Sequence, residues 1–166
     1  MFQIGERVVY GFHGVCKVMD LEERVVDRKK VVYMVLEPMG QGSARFYIPT
    51  HNAVAMTKIK RILSREELED LLQSDAVRNG SWIAEENLRK QMYRELISKG
   101  ERENLMQMVR CIYLYKAEQA AAGKRCHLCD DNFLRDAERL LTSEIAMILE
   151  LDPEQAKQYL RSRLTE

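Results

Sequence analysis

The residues with the clearest chemical potential are two cysteines three positions apart, in the segment Cys126-His127-Leu128-Cys129. Such a pair can supply two thiolates to Zn²⁺ or form a redox-active disulfide. A structural zinc needs four ligands, and this chain has no second Cys-x-x-Cys and no His-x-x-x-His. The other cysteines and histidines lie far away in the sequence: Cys16, Cys111, His13 and His51. We therefore predict neither a metal nor a cofactor, and a zinc- or redox-dependent protein using Cys126 and Cys129 stays the alternative.

No catalytic set stands out in the rest of the chain. The sequence contains no Gly-x-Ser-x-Gly, His-Glu-x-x-His or Walker motif. Its acidic pairs are adjacent in sequence, and neighbours on a helix or strand do not face one another, so they are interpreted as solvated surface. These pairs are Glu22-Glu23, Glu66-Glu67, Glu85-Glu86 and Asp130-Asp131. We expect a protein that is not an enzyme and that has no small-molecule substrate.

Trp82 is the only tryptophan, and it follows Gly80-Ser81 at a junction between a predicted loop and a predicted helix. A tryptophan in this position most often covers a hydrophobic core. An exposed aromatic ring at a helix start can also wedge into a partner or between bases. Arg89, Lys90 and Arg94 follow it and could contact phosphates, although a solvated helical face explains them equally well.

The charges of the chain sum to zero, with 26 basic and 26 acidic residues. This balance argues against a protein that binds nucleic acid by charge alone, because phosphate contacts need local positive charge. Lys124 and Arg125 follow Gly123 at a predicted helix end, where cations either complement the helix dipole or contact phosphate. Any DNA contact must therefore come from a local arrangement, helped by a partner that already holds the DNA.

The elements that would position these residues fall into two regions, of which the first is predicted to be β-structure. The first 49 residues hold five of the eight glycines, placed between short runs rich in β-branched residues. This pattern predicts a small antiparallel sheet or barrel, and residues 1–63 suffice for a five-stranded SH3-like or Tudor-like barrel. The predicted strands are Glu6–Tyr10, Val15–Leu21, Val31–Leu36 and Ala44–Ile48, with turns at Gly11–Gly14, Asp27–Lys30 and Met39–Ser43.

The second region, residues 64–166, is predicted to be a bundle of about five helices, so the whole chain has the α+β class. Ser64 and Glu67 form a capping box at its start, and Asp152-Pro153 begins its last helix. Residues 73–80 are predicted to be a loop. From Ser81 onward the helical period continues, with interruptions at glycines 100 and 123.

Composition places limits on the location of the protein. The sequence contains no run of ~18 apolar residues, so we predict no membrane-spanning helix and expect no membrane partner. The first residues lack the basic and apolar segments of a signal peptide, so the expected compartment is the cytoplasm. In that compartment the four cysteines are expected to be reduced thiols.

The opening residues resemble the start of the CarD/CdnL family of bacterial transcription regulators, which is shared with the polymerase-binding domain of the transcription-repair coupling factor. These residues are Phe2-Gln3-Ile4-Gly5-Glu6-Arg7-Val8-Val9-Tyr10-Gly11-Phe12-His13-Gly14-Val15. Further similarities follow in the family's order and extend to about residue 150. They are Tyr33-x-Val35-Leu36, Ile48-Pro49, Trp82 with Ser98-Lys99-Gly100-Glu101, Glu138-Arg139-Leu140-Leu141 and Glu144-Ile145-Ala146.

The resemblance implies a function for each region. The Tudor-like region, residues 1–63, would bind the RNA polymerase β subunit by adding its sheet edge to a sheet of that subunit. The helical region would contact promoter DNA at the upstream edge of the bubble, with Trp82 as an apolar wedge that stabilises the open complex. A polymerase-docking module without DNA contact is the second alternative.

The resemblance also implies site residues. It places Arg24 at a basic β-subunit contact, and Tyr47 stands where several relatives have a second Arg. This chain carries Asp131-Asn132 where relatives often have a basic pair, so Lys124 and Arg125 are the candidates in that turn. The β-subunit contacts are Arg24, Arg45 and Tyr47, and the DNA contacts are Trp82, Arg89, Lys90, Arg94, Lys124 and Arg125.

Overall fold

Five β-strands and seven α-helices form the part of the chain that the computed structural model describes, residues 2–40 and 44–166. These elements divide into two units, Met1–Ile62 and Leu63–Glu166. All strands belong to the first unit, and the second unit is helical throughout its regular elements. The predicted α+β composition is therefore confirmed.

The N-terminal unit is a five-stranded antiparallel sheet with the strand order β4-β3-β2-β1-β5. Its pairings leave β4 and β5 as the two edges of the described sheet, so the antiparallel sheet is confirmed while its closure into a barrel stays a prediction. The strands are β1 (Arg7–Tyr10), β2 (Val15–Val26), β3 (Lys29–Pro38), β4 (Phe46–Pro49) and β5 (Ile59–Arg61). A 3-10 turn, Gly11–His13, follows β1, and a short helix, α1 (Ala53–Thr57), precedes β5.

The hairpin of β2 and β3 is longer than the sequence predicted. Asp27 and Arg28 have φ angles of 49° and 65° and form a two-residue turn of the kind that matches strand twist. The strand β2 was expected to end at Leu21, but it continues to Val26 through charged residues, of which Glu23 and Arg24 are exposed. The turn predicted at Met39–Ser43 lies partly outside the described residues, which lack 41–43.

One face of the sheet packs into the core of the N-terminal unit. Alternation along the strands sends every second side chain to this face. The residues that form it are almost completely buried: Val8, Cys16, Val18, Met34, Leu36, Ile48 and Ile59. The opposite face of β2, β3 and β4 carries polar and aromatic residues together with two buried valines, Val15 and Val35.

The second unit contains six helices, one more than expected. They are α2 (Arg65–Gln73), α3 (Asp75–Arg78), α4 (Glu86–Lys99), α5 (Arg102–Ala121), α6 (Leu128–Leu149) and α7 (Pro153–Thr165). The predicted capping box of Ser64 with Glu67 is confirmed, and Asp152 forms a second one with Gln155. No helix among the described residues is long and apolar enough to cross a membrane.

The difference in helix number comes from residues 73–80, which were predicted to be a loop. The Ser74 hydroxyl accepts a hydrogen bond from the Val77 amide at 3.4 Å and begins the one-turn helix α3, in which Val77 is fully buried. The next helix begins later than expected, because residues 79–84 are irregular. The Glu85 carboxylate accepts hydrogen bonds from the amides of Asn87 and Leu88 at 3.1 and 2.6 Å and so starts α4.

A buried carboxylate on α6 joins the start of the helical unit to α5. Glu144 is 5% exposed, and its oxygens accept hydrogen bonds from Arg102 at 2.6 and 2.8 Å. It also accepts the amide hydrogen of Leu63 at 3.0 Å. The bidentate geometry fixes both partners, because two parallel N–H···O bonds define one orientation of the guanidinium.

We expect Leu160→Ala to lower the free energy of unfolding of the helical unit by about 2–5 kcal/mol, because truncation of a buried leucine loses apolar burial and leaves a cavity. Leu160 is 0% exposed in the core of this unit. Urea denaturation of the full chain, followed by the fluorescence of the single tryptophan, measures the loss. Leu128→Ala is the matched control, since Leu128 is 75% exposed, and should change stability by less than about 0.5 kcal/mol. Equal losses would contradict this assignment of the core.

Candidate functional site

Arg24, Tyr33 and Tyr47 come together on the face of the N-terminal sheet that lies opposite the core; we name this surface the tyrosine face. Strand register places Glu22 opposite Tyr33 and Val35 opposite Tyr47. The guanidinium carbon of Arg24 lies 4.6 Å from the ring centroid of Tyr47 and 5.8 Å from that of Tyr33. Three neighbouring strands therefore present one cation over two aromatic rings.

The charge of Arg24 is held in place by a neighbour on its own strand. Its Nε donates a hydrogen bond to Glu22 Oε1 at 3.1 Å, and this bond raises the pKa of the guanidinium above its ordinary value. Side chains two positions apart on a strand share a face, so Glu22 and Arg24 form an exposed pair. The Arg24 side chain is about half exposed beside the two rings.

Arg45, which was predicted to contact the polymerase and to lie within a strand, stands just before β4. Its Nε is 3.6 Å from Glu37 Oε2, and its side chain is about half exposed. An exposed ion pair of this length contributes little to stability. The pair therefore leaves Arg45 able to exchange Glu37 for a partner's acidic group.

The free edge of β4 can be described group by group. The Thr50 amide donates to the Val32 carbonyl at 2.9 Å. In an antiparallel pair, residues that exchange hydrogen bonds alternate with residues that do not, so Ile48 bonds to β3 while the N–H and C=O of Tyr47 point to the free side. Pro49 has no N–H to offer there. Within β4, the edge therefore presents one complete donor–acceptor pair to an added strand, at Tyr47.

In the helical unit, Gly80 lets the segment that carries Trp82 pass close to α5. A Cβ atom built on Gly80 would lie 2.3 Å from Cγ of Gln107 and 3.1 Å from Sγ of Cys111. Both distances are below ordinary contact, and the first could be relieved only by moving the Gln107 side chain. A larger residue would require either this segment or the Gln107 side chain, which donates to the Ala76 carbonyl at 2.7 Å, to move.

Trp82 is partly buried and packs against the core of the helical unit. Its indole stacks on Tyr115, with centroids 3.8 Å apart and planes inclined by 6°. The guanidinium carbon of Arg89 lies over the indole at 4.5 Å, and Tyr93 meets it edge to face at 6.5 Å. Because a stacked ring covers the face that it contacts, the guanidinium occupies the opposite face, and the indole offers mainly its rim to a partner.

Arg89 was expected to contact phosphate, and the structure places its side chain inside the helical unit. Its side chain is 3% exposed, and its Nε and Nη2 donate to the two oxygens of Asp130 at 2.8 and 3.1 Å. Its Nη1 donates to the Ile83 carbonyl at 2.9 Å. Burial alone lowers the pKa of the guanidinium, but the hydrogen bonds and charge of Asp130 outweigh it, and the pKa lies above its ordinary value. The guanidinium of Arg89 therefore bonds to groups inside the protein.

The remaining predicted DNA contacts lie at the surface. Lys90 pairs with Glu86 one turn earlier on α4 at 3.0 Å, and Arg94 is exposed one turn further along. Lys124 and Arg125 are exposed in the connection between α5 and α6. Arg89 and Asp130 form an ion pair that joins α4 to the start of α6. The connection between α5 and α6 therefore ends next to the ion pair that contacts Trp82.

Sequence reasoning missed two members of this site. Asp130 was interpreted as solvated surface together with Asp131, but it is 1% exposed. The interpretation holds better for Asp131, which accepts a hydrogen bond from Lys116 at 2.6 Å and is 45% exposed. The sequence does not predict the role of Tyr115, since nothing in its spacing separates a stacking partner from any other helical aromatic residue. Only the packing of α4, α5 and α6 identifies these two residues.

The paired cysteines form the turn into α6. Both are free thiols, and His127 between them is the N-cap residue. Among residues 2–40 and 44–166, no group of three or more His, Cys, Asp or Glu side chains is arranged to hold a metal ion. Burial raises the pKa of the Cys126 thiol, although Lys116 opposes the effect.

A comparison with protein-family models assigns the N-terminal unit. Residues 2–60 match the model of the CarD-like/TRCF RID domain. The match begins before β1, includes the tyrosine face and the edge strand β4, and ends within β5. It agrees with the resemblance that the opening residues showed. Residues 2–60 of this chain therefore form a domain of the CarD-like/TRCF RID family, whose members interact with RNA polymerase.

Proposed function

We propose that this protein regulates transcription, without enzymatic activity, by docking on the β subunit of RNA polymerase and stabilising the open promoter complex. The observation that carries the proposal is the free backbone edge at Tyr47 beside the cation of Arg24, in a domain whose family interacts with the polymerase. The helical unit contributes the contact to DNA at the upstream edge of the bubble.

The polymerase contact would combine backbone pairing with side-chain recognition. A strand added to β4 gains its affinity from main-chain hydrogen bonds, while side chains on the sheet face select the partner. Arg24 lies across the two tyrosines next to that edge, and Arg45 supplies a second cation held only by Glu37. This surface favours a partner strand that is flanked by acidic groups.

The DNA contact would combine the rim of Trp82 with cations at the surface. Lys90, Arg94, Lys124 and Arg125 could contact phosphates, which position a protein on DNA without reading sequence. The zero net charge fits this division of roles, since the polymerase would supply most of the grip on DNA. The indole stabilises the melted state only as far as it binds that state better than duplex DNA.

The covered faces of the indole limit how it can act. Tyr115 and Arg89 occupy the positions that stacked bases would take. Insertion of the rim at the fork between duplex and single strands remains available, and apolar wedges act at base steps in this way. The same observation favours the alternative in which the protein docks on the polymerase without touching DNA, and substitution of Trp82 separates the two.

We expect Tyr47→Pro to weaken binding of the full chain to the β subunit well beyond Tyr47→Ala. Both substitutions remove the ring that contacts Arg24, but only proline removes the outward N–H, and proline is tolerated on edge strands. One lost hydrogen bond of about 0.5–1.5 kcal/mol corresponds to a difference of roughly twofold to tenfold between the variants. Biolayer interferometry on immobilised β subunit measures it, with circular dichroism to verify folding.

The charge of the tyrosine face provides an independent control for this experiment. Arg24→Glu should weaken binding and Lys29→Glu, at the far end of the hairpin, should leave it nearly unchanged. Equal affinities of the proline and alanine variants would show that the β4 edge does not pair with the polymerase.

We expect Trp82→Ala to shorten the lifetime of open complexes by roughly fivefold to tenfold while affinity for the β subunit stays constant. This range takes the low end of the ~1–3 kcal/mol of an aromatic–base contact, because only the rim is accessible. A competitor-challenged dissociation assay with the complete polymerase and promoter measures the lifetime. An unchanged lifetime with intact polymerase binding would favour the docking module without DNA contact.

A further inference from the structure

An ion pair touches both the ring of Trp82 and its backbone neighbour. Arg89 covers one face of the indole at 4.5 Å and donates to the carbonyl of Ile83, the next residue along the chain. Asp130 receives two hydrogen bonds from the same guanidinium. We infer that Arg89 and Asp130 are positioning residues that hold the Trp82 indole against Tyr115; their consequence for DNA rests on the proposed function.

The geometry of the guanidinium explains why this pair can orient a ring. A guanidinium is planar, and a carboxylate that accepts two parallel hydrogen bonds fixes the direction of that plane. The two carboxylate oxygens of Asp130 lie 2.8 and 3.1 Å from Nε and Nη2, and the Ile83 carbonyl takes Nη1 at 2.9 Å. Three acceptors on two separate segments thus determine where the cation lies over the indole.

The opposite wall is a stacking contact. Tyr115 and Trp82 lie nearly parallel with their ring centroids 3.8 Å apart, and stacking lacks the directional bonds of a hydrogen-bonded group. The ring of Tyr93 is inclined by 70° to the indole, with centroids 6.5 Å apart. Among the groups around the indole, the hydrogen-bonded guanidinium of Arg89 therefore sets its orientation. The aromatic rings provide most of the contact surface.

A purely structural role for the ion pair makes a different prediction. If the pair only joined α4 to α6, weakening it would lower stability but leave the indole's environment unchanged in the folded protein. A positioning role changes that environment under native conditions. Trp82 is the only tryptophan of the chain, so its fluorescence reports this site alone.

The test is Asp130→Asn in the full chain, which keeps the size of the side chain and removes its charge and one of its acceptors. Asp130 bonds to Arg89 and acts on the indole through it. We expect a shifted emission maximum, stronger quenching of the fluorescence by acrylamide and an added fast component in time-resolved anisotropy. The far-UV circular dichroism should match that of the unchanged protein.

Asp131→Asn is the matched control, since it makes the same change one residue along at a carboxylate paired with Lys116 on the surface. Its fluorescence should equal that of the unchanged protein. Arg89→Lys is the second variant, which keeps the positive charge but lacks the planar fork, and should reproduce the fluorescence change. It also keeps the inference testable if Asp130→Asn does not fold.

Folded variants at Asp130 and Arg89 whose emission, quenching and anisotropy match the unchanged protein would overturn the inference. A fluorescence change accompanied by faster decay of open complexes supports both the positioning role and the proposed function. A fluorescence change with an unaltered open-complex lifetime supports the positioning role and contradicts the DNA contact of Trp82. The spectroscopic measurement therefore tests the positioning role, and the promoter measurement separately tests the DNA contact.

Discussion

The helical unit depends on the buried ion pair between Arg89 and Asp130. Removal of two charges from water is costly, and such a pair is tolerated only when its geometry is good and its remaining donors are satisfied. Here the carboxylate lies in the first turn of α6, where the helix dipole favours negative charge, and the Ile83 carbonyl takes a further guanidinium donor. Loss of one partner would leave an uncompensated buried charge, which typically costs about 3–5 kcal/mol. The pair therefore ties together α4, α6 and the segment of Trp82.

This arrangement gives the indole a fixed position without sealing it in the core. Apolar packing alone would bury the ring or leave it free to turn, whereas a guanidinium over one face and Tyr115 under the other leave its rim accessible. A contact residue works best when its own rotamer is held by its neighbours. Under the proposed function, a rigid rim would suit the fork between duplex and melted DNA, where the gain would come from shape and from exclusion of water.

A different constraint applies to the N-terminal unit. An exposed strand edge that binds a partner must not pair with the exposed strands of other proteins. Strand β4 has four residues and ends at a proline, so its free side carries one complete donor–acceptor pair. Short edges with proline resist unspecific association. Selectivity then falls to the tyrosine face, where Arg24 is held by Glu22 and lies over Tyr47. The backbone would supply affinity for the polymerase, and this cation would choose the partner.

The sequence by itself determined the β-then-α order, the capping box at Ser64 and the family of residues 2–60, because these features depend on residue types at short spacings. It missed the full length of β2 and the one-turn helix α3, where exposed charges and a single buried Val77 provide no periodic signal. Tertiary structure alone decided the roles of Arg89 and Asp130, which are 41 positions apart in the chain. A charged residue on a helix looks solvated from its neighbours in sequence, and only the packing of α4 against α6 removes these two from water.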